Sequence, residues 1–220
     1  MRITPNALLL TLALAATPAL AAQDISKVNG SITAEAGQSY GDLETVNGSI
    51  RIQDGAVVED AGTVNGSITV DAKATTGDLE TVNGSIRLGE HVTVRGGIDT
   101  VNGAVFIDRG GEVKDGVETV NGAIGLVATR VGGGIETVNG DITVGIDSHV
   151  RGGITVEKPN SRFGFKPKRD PRVVIGPNAV VEGPLVFERP VVLYVHKSAR
   201  TGPVRGATAR VFEGNTAPQD

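Results

Sequence analysis

From residue 23 onward, short alternations of apolar and polar residues such as Ser-Ile-Arg-Ile (49–52) and Ser-Ile-Thr-Val (67–70) recur at fixed intervals. The string Val-Asn-Gly returns seven times, with its asparagines at Asn29, Asn47, Asn65, Asn83, Asn102, Asn121 and Asn139, 18 or 19 residues apart. Threonine precedes the valine in six copies, and an acidic residue precedes that threonine in five: Glu44, Glu80, Asp99, Glu118 and Glu136. A β-branched aliphatic residue follows each glycine by two positions, as at Ile32, Ile50, Ile68 and Ile86. Inside this repeat runs a finer one of six: Val46, Ile52, Val58, Val64, Val70, then Thr76 as the exception, Val82, Leu88 and Val94. The 19-residue units each shift that frame by one, to Val101, Ile107 and Val113, then to Val120 and Leu126.

Three hexads per unit predict a coil with three short faces. One aliphatic side chain per hexad points inward, and glycines or small residues turn the corners. A single coil cannot bury its inner face, but stacked coils share a continuous core. The pattern therefore predicts an all-β, single-domain, triangular parallel β-solenoid (β-helix). It has about nine rungs of 18–19 residues, stacked at ~4.8 Å into a rod of roughly 40 Å, and either handedness fits. Asn-Gly between apolar residues is also a strong hairpin signal, yet hairpins would not hold the spacing across seven copies. Glycine and β-branched residues throughout each unit disfavour helix.

Stacking makes equivalent asparagines neighbours, so their amides can bond along the rod while the following glycine permits the chain to bend. The threonine file raises ice or carbohydrate binding, and the acidic file raises cation binding. A structural ladder is the preferred reading, because no two-column threonine array and no aspartate-rich calcium loop accompanies either file.

The hexads continue through Val144, Val150 and Val156, then break over residues 157–172. Residues 158–172 hold six basic side chains against Asp170 alone, and three prolines with Gly164 make the segment a loop excursion. Phe163, Phe165, Lys166, Lys168 and Arg169 form a candidate binding cluster within it, suited to an envelope polysaccharide, a lipid headgroup or another anionic partner. The competing reading is a solvated loop whose phenylalanines cover an exposed rung. The charge asymmetry also allows the loop to dock on an acidic flank of the solenoid, its own or a neighbour's. Hexads resume at Val174 and run through Val180, Val186 and Val192 to Val204, with Ser198 the polar member, giving C-terminal coils over residues 173–206. Residues 207–220 are expected to form a cap and flexible tail.

Composition sharpens this picture. Among 220 residues there are 31 glycines, 5 Phe, 2 Tyr, no Trp and no cysteine. So few large side chains argue against an ordinary globule. The lack of cysteine excludes a disulfide scaffold, a thiolate zinc site and a cysteine nucleophile. A net charge of −4 gives no support to nucleic-acid binding. Residues 1–21 read as a signal peptide: Arg2, an apolar run from Ala7 to Ala16, Pro18, and the small-x-small site Ala19-Leu20-Ala21. The solenoid of residues 22–156 is thus expected in the periplasm or outside the cell. No later segment has the apolar length of a transmembrane helix.

The Thr-Val-Asn-Gly-Ser-Ile units resemble exported bacterial adhesin-like β-strand-repeat proteins. Residues 175–187 (IGPNAVVEGPLVF) resemble the hexad repeats of polymer-forming, bactofilin-type proteins. These resemblances imply a structural or adhesion-like rod in the cell envelope, or alternatively a scaffold that self-associates through its solenoid ends. Neither supplies a catalytic residue. Hexapeptide acyltransferases use triangular solenoids with a catalytic histidine, so His91, His149 and His196 keep acyl transfer as a remote alternative. No P-loop, serine elbow or convergent acid pair is present. The chain is expected to be non-enzymatic, without cofactor or metal.

Overall fold

A computed structural model describes residues 22–159 and 169–218. The expected signal peptide, residues 1–21, lies outside them. Every regular element among the described residues is a strand. Ten parallel strands, from Ile32–Ala34 to Ala209–Phe212, stack into one sheet, here the isoleucine face. An 18-stranded sheet wraps the other two sides. One side carries the Asn-Gly motif (the asparagine face), and the other carries short strands such as Thr93–Val94 and Glu112–Val113 (the valine face). The chain is a parallel β-solenoid of ten turns. The turn beyond the expected nine comes from Ala209–Phe212, which pairs with Val192–His196 inside the segment expected to be cap and tail.

Each face sends two side chains inward rather than one. In a representative turn these are Leu79 and Thr81, Ile86 and Leu88, and Val92 and Val94, all buried. The corners between them are uneven. Thr81 to Ile86 spans five positions and Leu88 to Val92 four, while the remaining corner takes three at Val58–Ala61 and four at Val94–Ile98. That last corner absorbs the nineteenth residue, using Gly96-Gly97. A strict period of six averages over these corners and misplaces one position in three. The valine of each Val-Asn-Gly, expected inside, faces solvent: Val46, Val64, Val82, Val101 and Val120 are 40–41% exposed. The threonine before it is inside instead, with Thr81 4% exposed.

The buried hydroxyl is tolerated because it has a partner. Thr45, Thr63, Thr81, Thr100 and Thr119 each donate to the carbonyl of the motif glycine one turn earlier, at 2.9–3.2 Å. Thr137 breaks the series, its buried Oγ1 lacking a partner. The glycine is required by close approach rather than by a bend: a Cβ on Gly84 would lie 1.8 Å from the Gly66 carbonyl oxygen. Left-handed backbone instead occupies the corner between the isoleucine and valine faces. Gly37, Gly55 and Gly110 stand there, as do five side-chain-bearing residues: Lys73, His91, Ala128, Asp147 and Asn178 (φ 46° to 59°).

Beyond the excursion the phase differs by one from the hexads expected at Val174, Val180, Val186 and Val192, whereas Val204, paired with the buried Leu185, packs against the core as expected. Val173 and Ile175, Ala179 and Val181, and Leu185 and Phe187 fill the core; Ser198 is exposed. Val174 points outward yet is covered, because Tyr194 and Phe212 pack over it in a separate cluster. The two rings meet edge to face at 6.4 Å, and Arg172 and Arg210 stand over Tyr194 at 5.1 and 5.7 Å. Arg172 also donates to the Pro218 carbonyl at 2.5 Å, holding the C-terminal segment along the outside of the rod.

Two stability outcomes follow from these placements. Thr81→Val leaves the part-buried Gly66 carbonyl without this donor and lowers unfolding free energy by about 1 kcal/mol, whereas Thr137→Val causes no such loss; urea denaturation compares them. Ala128→Gly relieves a left-handed Cβ and raises stability by roughly 0.5–1 kcal/mol after glycine's entropy cost, read by the same assay.

Candidate functional site

The surface motif is built in files, one residue per turn. Each asparagine from Asn47 to Asn139 donates Nδ2–H to the Oδ1 of the asparagine one turn earlier, at 3.0–3.1 Å. The row of seven amides starts at Asn29 and ends at Asn139, whose Oδ1 accepts a 2.7 Å hydrogen bond from Arg189. The same guanidinium nitrogen donates to the Val138 carbonyl at 2.9 Å. Beside this row, Ser31, Ser49, Ser67 and Ser85 accept the backbone N–H of the equivalent residue in the next turn, at 3.2–3.3 Å. Sequence reasoning passed over the serine file, although Ser follows Asn-Gly in each of the first four copies. Nothing local signals Arg189, which sits 50 residues from Asn139.

On the other flank of the exposed valines lie the acids. Glu80, Asp99, Glu118 and Glu136 are in direct register in four successive turns. Glu44 stands two turns before Glu80, with Gly62 between them. Acids, valines and backbone line a groove of about 840 Å³ that runs from Ser26 to Glu157 along most of the asparagine face. Among the described residues, none of the ion pairs involves these five carboxylates. Like charges one strand apart repel. Partial burial, then the charges of Glu118, Glu80 and Asp78, push the Asp99 carboxyl up to about 6. Burial followed by Glu118 and Glu157 raises Glu136 as well. Among the described residues no group of acids and histidines is arranged to hold a metal ion.

The excursion meets the solenoid at its return. Phe163, Phe165, Lys166 and Lys168 lie outside the described residues. Arg169 is described, and it grips Asp141 with both guanidinium nitrogens, Nη1 to Oδ1 at 2.9 Å and Nη2 to Oδ2 at 2.6 Å. Asp141 also accepts the Arg172 backbone N–H at 2.9 Å. Burial alone would raise the Asp141 carboxyl, but the Arg169 hydrogen bond, the Arg172 N–H and the two cationic charges outweigh it and hold it below its ordinary range. Arg169 is therefore engaged in anchoring the loop's return strand.

The three histidines are dispersed. His91 is a left-handed corner residue, bonded through its N–H to the Arg109 carbonyl. His149 Nε2 lies 2.7 Å from Glu182 on the valine face, and His196 packs its ring on Phe212 and bonds Ser198 through Nδ1. None lines the acidic groove.

The raised Asp99 pKa costs stability above about pH 6, where the folded chain must ionise it, and that cost disappears as pH falls toward its ordinary 3.8. Glu136 acts in the same direction, and the Asp141 contact is lost only at lower pH. Tm is therefore expected to rise between pH 7.5 and pH 5. Asp99→Asn should raise Tm by a few degrees at pH 7.5, with the difference closing near pH 4; calorimetry across pH checks both. Comparison with protein-family models, with curated proteins and with solved structures finds no match to this chain.

Proposed function

We propose that the chain is a non-enzymatic, exported β-solenoid with a structural or adhesion-like role in the bacterial cell envelope. The observation that carries this reading is the groove on the asparagine face, which presents nearly the same acid, threonine and valine chemistry in turn after turn. Such a surface suits lasting contact with an extended partner, since every step along it offers an equivalent hold. Catalysis needs instead a few unlike groups converging on one point, and the histidines of the acyl-transfer alternative stand apart on separate corners and faces. Export is supported by the cleavage pattern of residues 1–21, and the residues after it begin at once with the first strand, Gln23–Asn29. The cations Lys166 and Lys168 supply a second contact, toward anionic envelope material.

An end-to-end scaffold is the second reading, favoured by the first strand itself. Gln23–Asn29 pairs with the next turn on one edge and is exposed at six of its seven residues, which leaves a template for another chain's strand.

Cell fractionation with mass spectrometry of the purified chain tests the proposal. A chain that starts near Ala22 and co-sediments with envelope fragments is expected, and Lys166→Ala/Lys168→Ala should weaken that co-sedimentation several-fold. An uncleaved chain confined to the cytoplasm overturns the reading.

A further inference from the structure

The valine face carries the counterpart of the acidic groove. Arg95, Lys114, Arg130, His149 and Arg151 line a second groove there of about 570 Å³. Arg95 and Lys114 are exposed and occupy equivalent positions in adjacent turns, as the pairing of Thr93–Val94 with Glu112–Val113 places them. Arg151 takes the same position two turns further on, after Gly132. Arg130 is paired with Glu112 at 2.8 Å, and Arg95 donates to the Val58 carbonyl at 3.1 Å. Among the described residues, the ion pairs include neither Lys114 nor Arg151.

The two grooves match in three respects. Their charges are opposite. Their period is the same, since both are read off successive turns of one solenoid at ~4.8 Å. Their heights coincide: Arg95 and Asp99 belong to one turn and Lys114 and Glu118 to the next, each cation four residues before its acid and around a corner from it. A cation row of this spacing on a flat strand face is what would relieve the unpaired carboxylates. It would also cover the exposed valines between Val82 and Val120.

We propose that the rods associate side by side, the acidic asparagine face of one copy seated on the basic valine face of a second copy. The contact is heterologous, so each rod keeps one face of either sign free for the next neighbour, and assembly proceeds to a ring or a lateral array. This goes beyond the envelope reading and does not depend on export or on the strand edges at the rod ends.

Sedimentation velocity of the full chain over a concentration series tests it. At 50 mM salt the mass is expected to increase with concentration, and at 500 mM salt it should fall to monomer, because screening shortens from roughly 14 to about 4 Å. Glu118→Lys and Lys114→Glu should each lower association at least tenfold at low salt while leaving Tm within a few degrees of the parent. Mixing the two variants should restore association, because the first retains the basic face and the second the acidic face. A chain that stays monomeric at low salt overturns the proposal. So does a mixture of the two folded variants that fails to associate. Association that persists in both single variants and in 500 mM salt also overturns it, assigning assembly to the rod ends instead.

Discussion

In a parallel, in-register coil every residue lies against its own equivalent one turn away, at ~4.8 Å. That constraint governs the rest of the molecule. Aliphatic residues stacked on aliphatic residues make a continuous core from Ile32 to Leu193. Amides stacked on amides are self-complementary, since each carries both donor and acceptor, and the asparagine row uses this at every step from Asn29 to Asn139. Carboxylates stacked on carboxylates have no such complement. The acidic file is thus the one repeated feature that the stack itself opposes, and the neighbouring charges add to partial burial in pushing Asp99 and Glu136 upward.

Narrowness is the second consequence. Six inward positions per turn leave room for Val, Ile, Leu, Thr and Ala, and among the described residues the core admits one phenylalanine, Phe187, near the C-terminal end. The other described aromatics in contact with one another, Tyr194 and Phe212, lie on the outside of the isoleucine face with Val174. They fasten the end of the chain to the rod, a task the interior cannot perform there because its strands are running out.

The architecture was legible from spacing alone, because a repeat held across seven copies requires stacking. The orientation within the repeat was not. Thr81 and Val82 are both β-branched, and hydrophobicity favours the valine for the core; the deciding factor is the Gly66 carbonyl, which needs the threonine hydroxyl and is invisible before the chain is folded. The C-terminal phase was hidden differently. Arg172-Val173-Val174-Ile175 has apolar residues on both sides of the strand, so either phase fits until Tyr194 covers the outer valine. At the candidate site, the acidic file could be read from the sequence. The basic file on the neighbouring face could not, since Arg95, Lys114 and Arg151 belong to no motif and gather only through the register of the turns.

Arg189 has a consequence for how such a chain can change length. The amide row is directional, with every Nδ2 donating toward the N-terminus, so its unmet acceptor always falls at the Asn139 end. A guanidinium placed there serves equally well for a row of any length. Duplicating or deleting a unit between Asn29 and Asn121 leaves the terminal contact as it is, whereas a unit added after Val156 would carry Arg189 out of reach. A change in repeat number therefore preserves the Arg189 contact when it falls before Asn121 and breaks it when it falls after Val156.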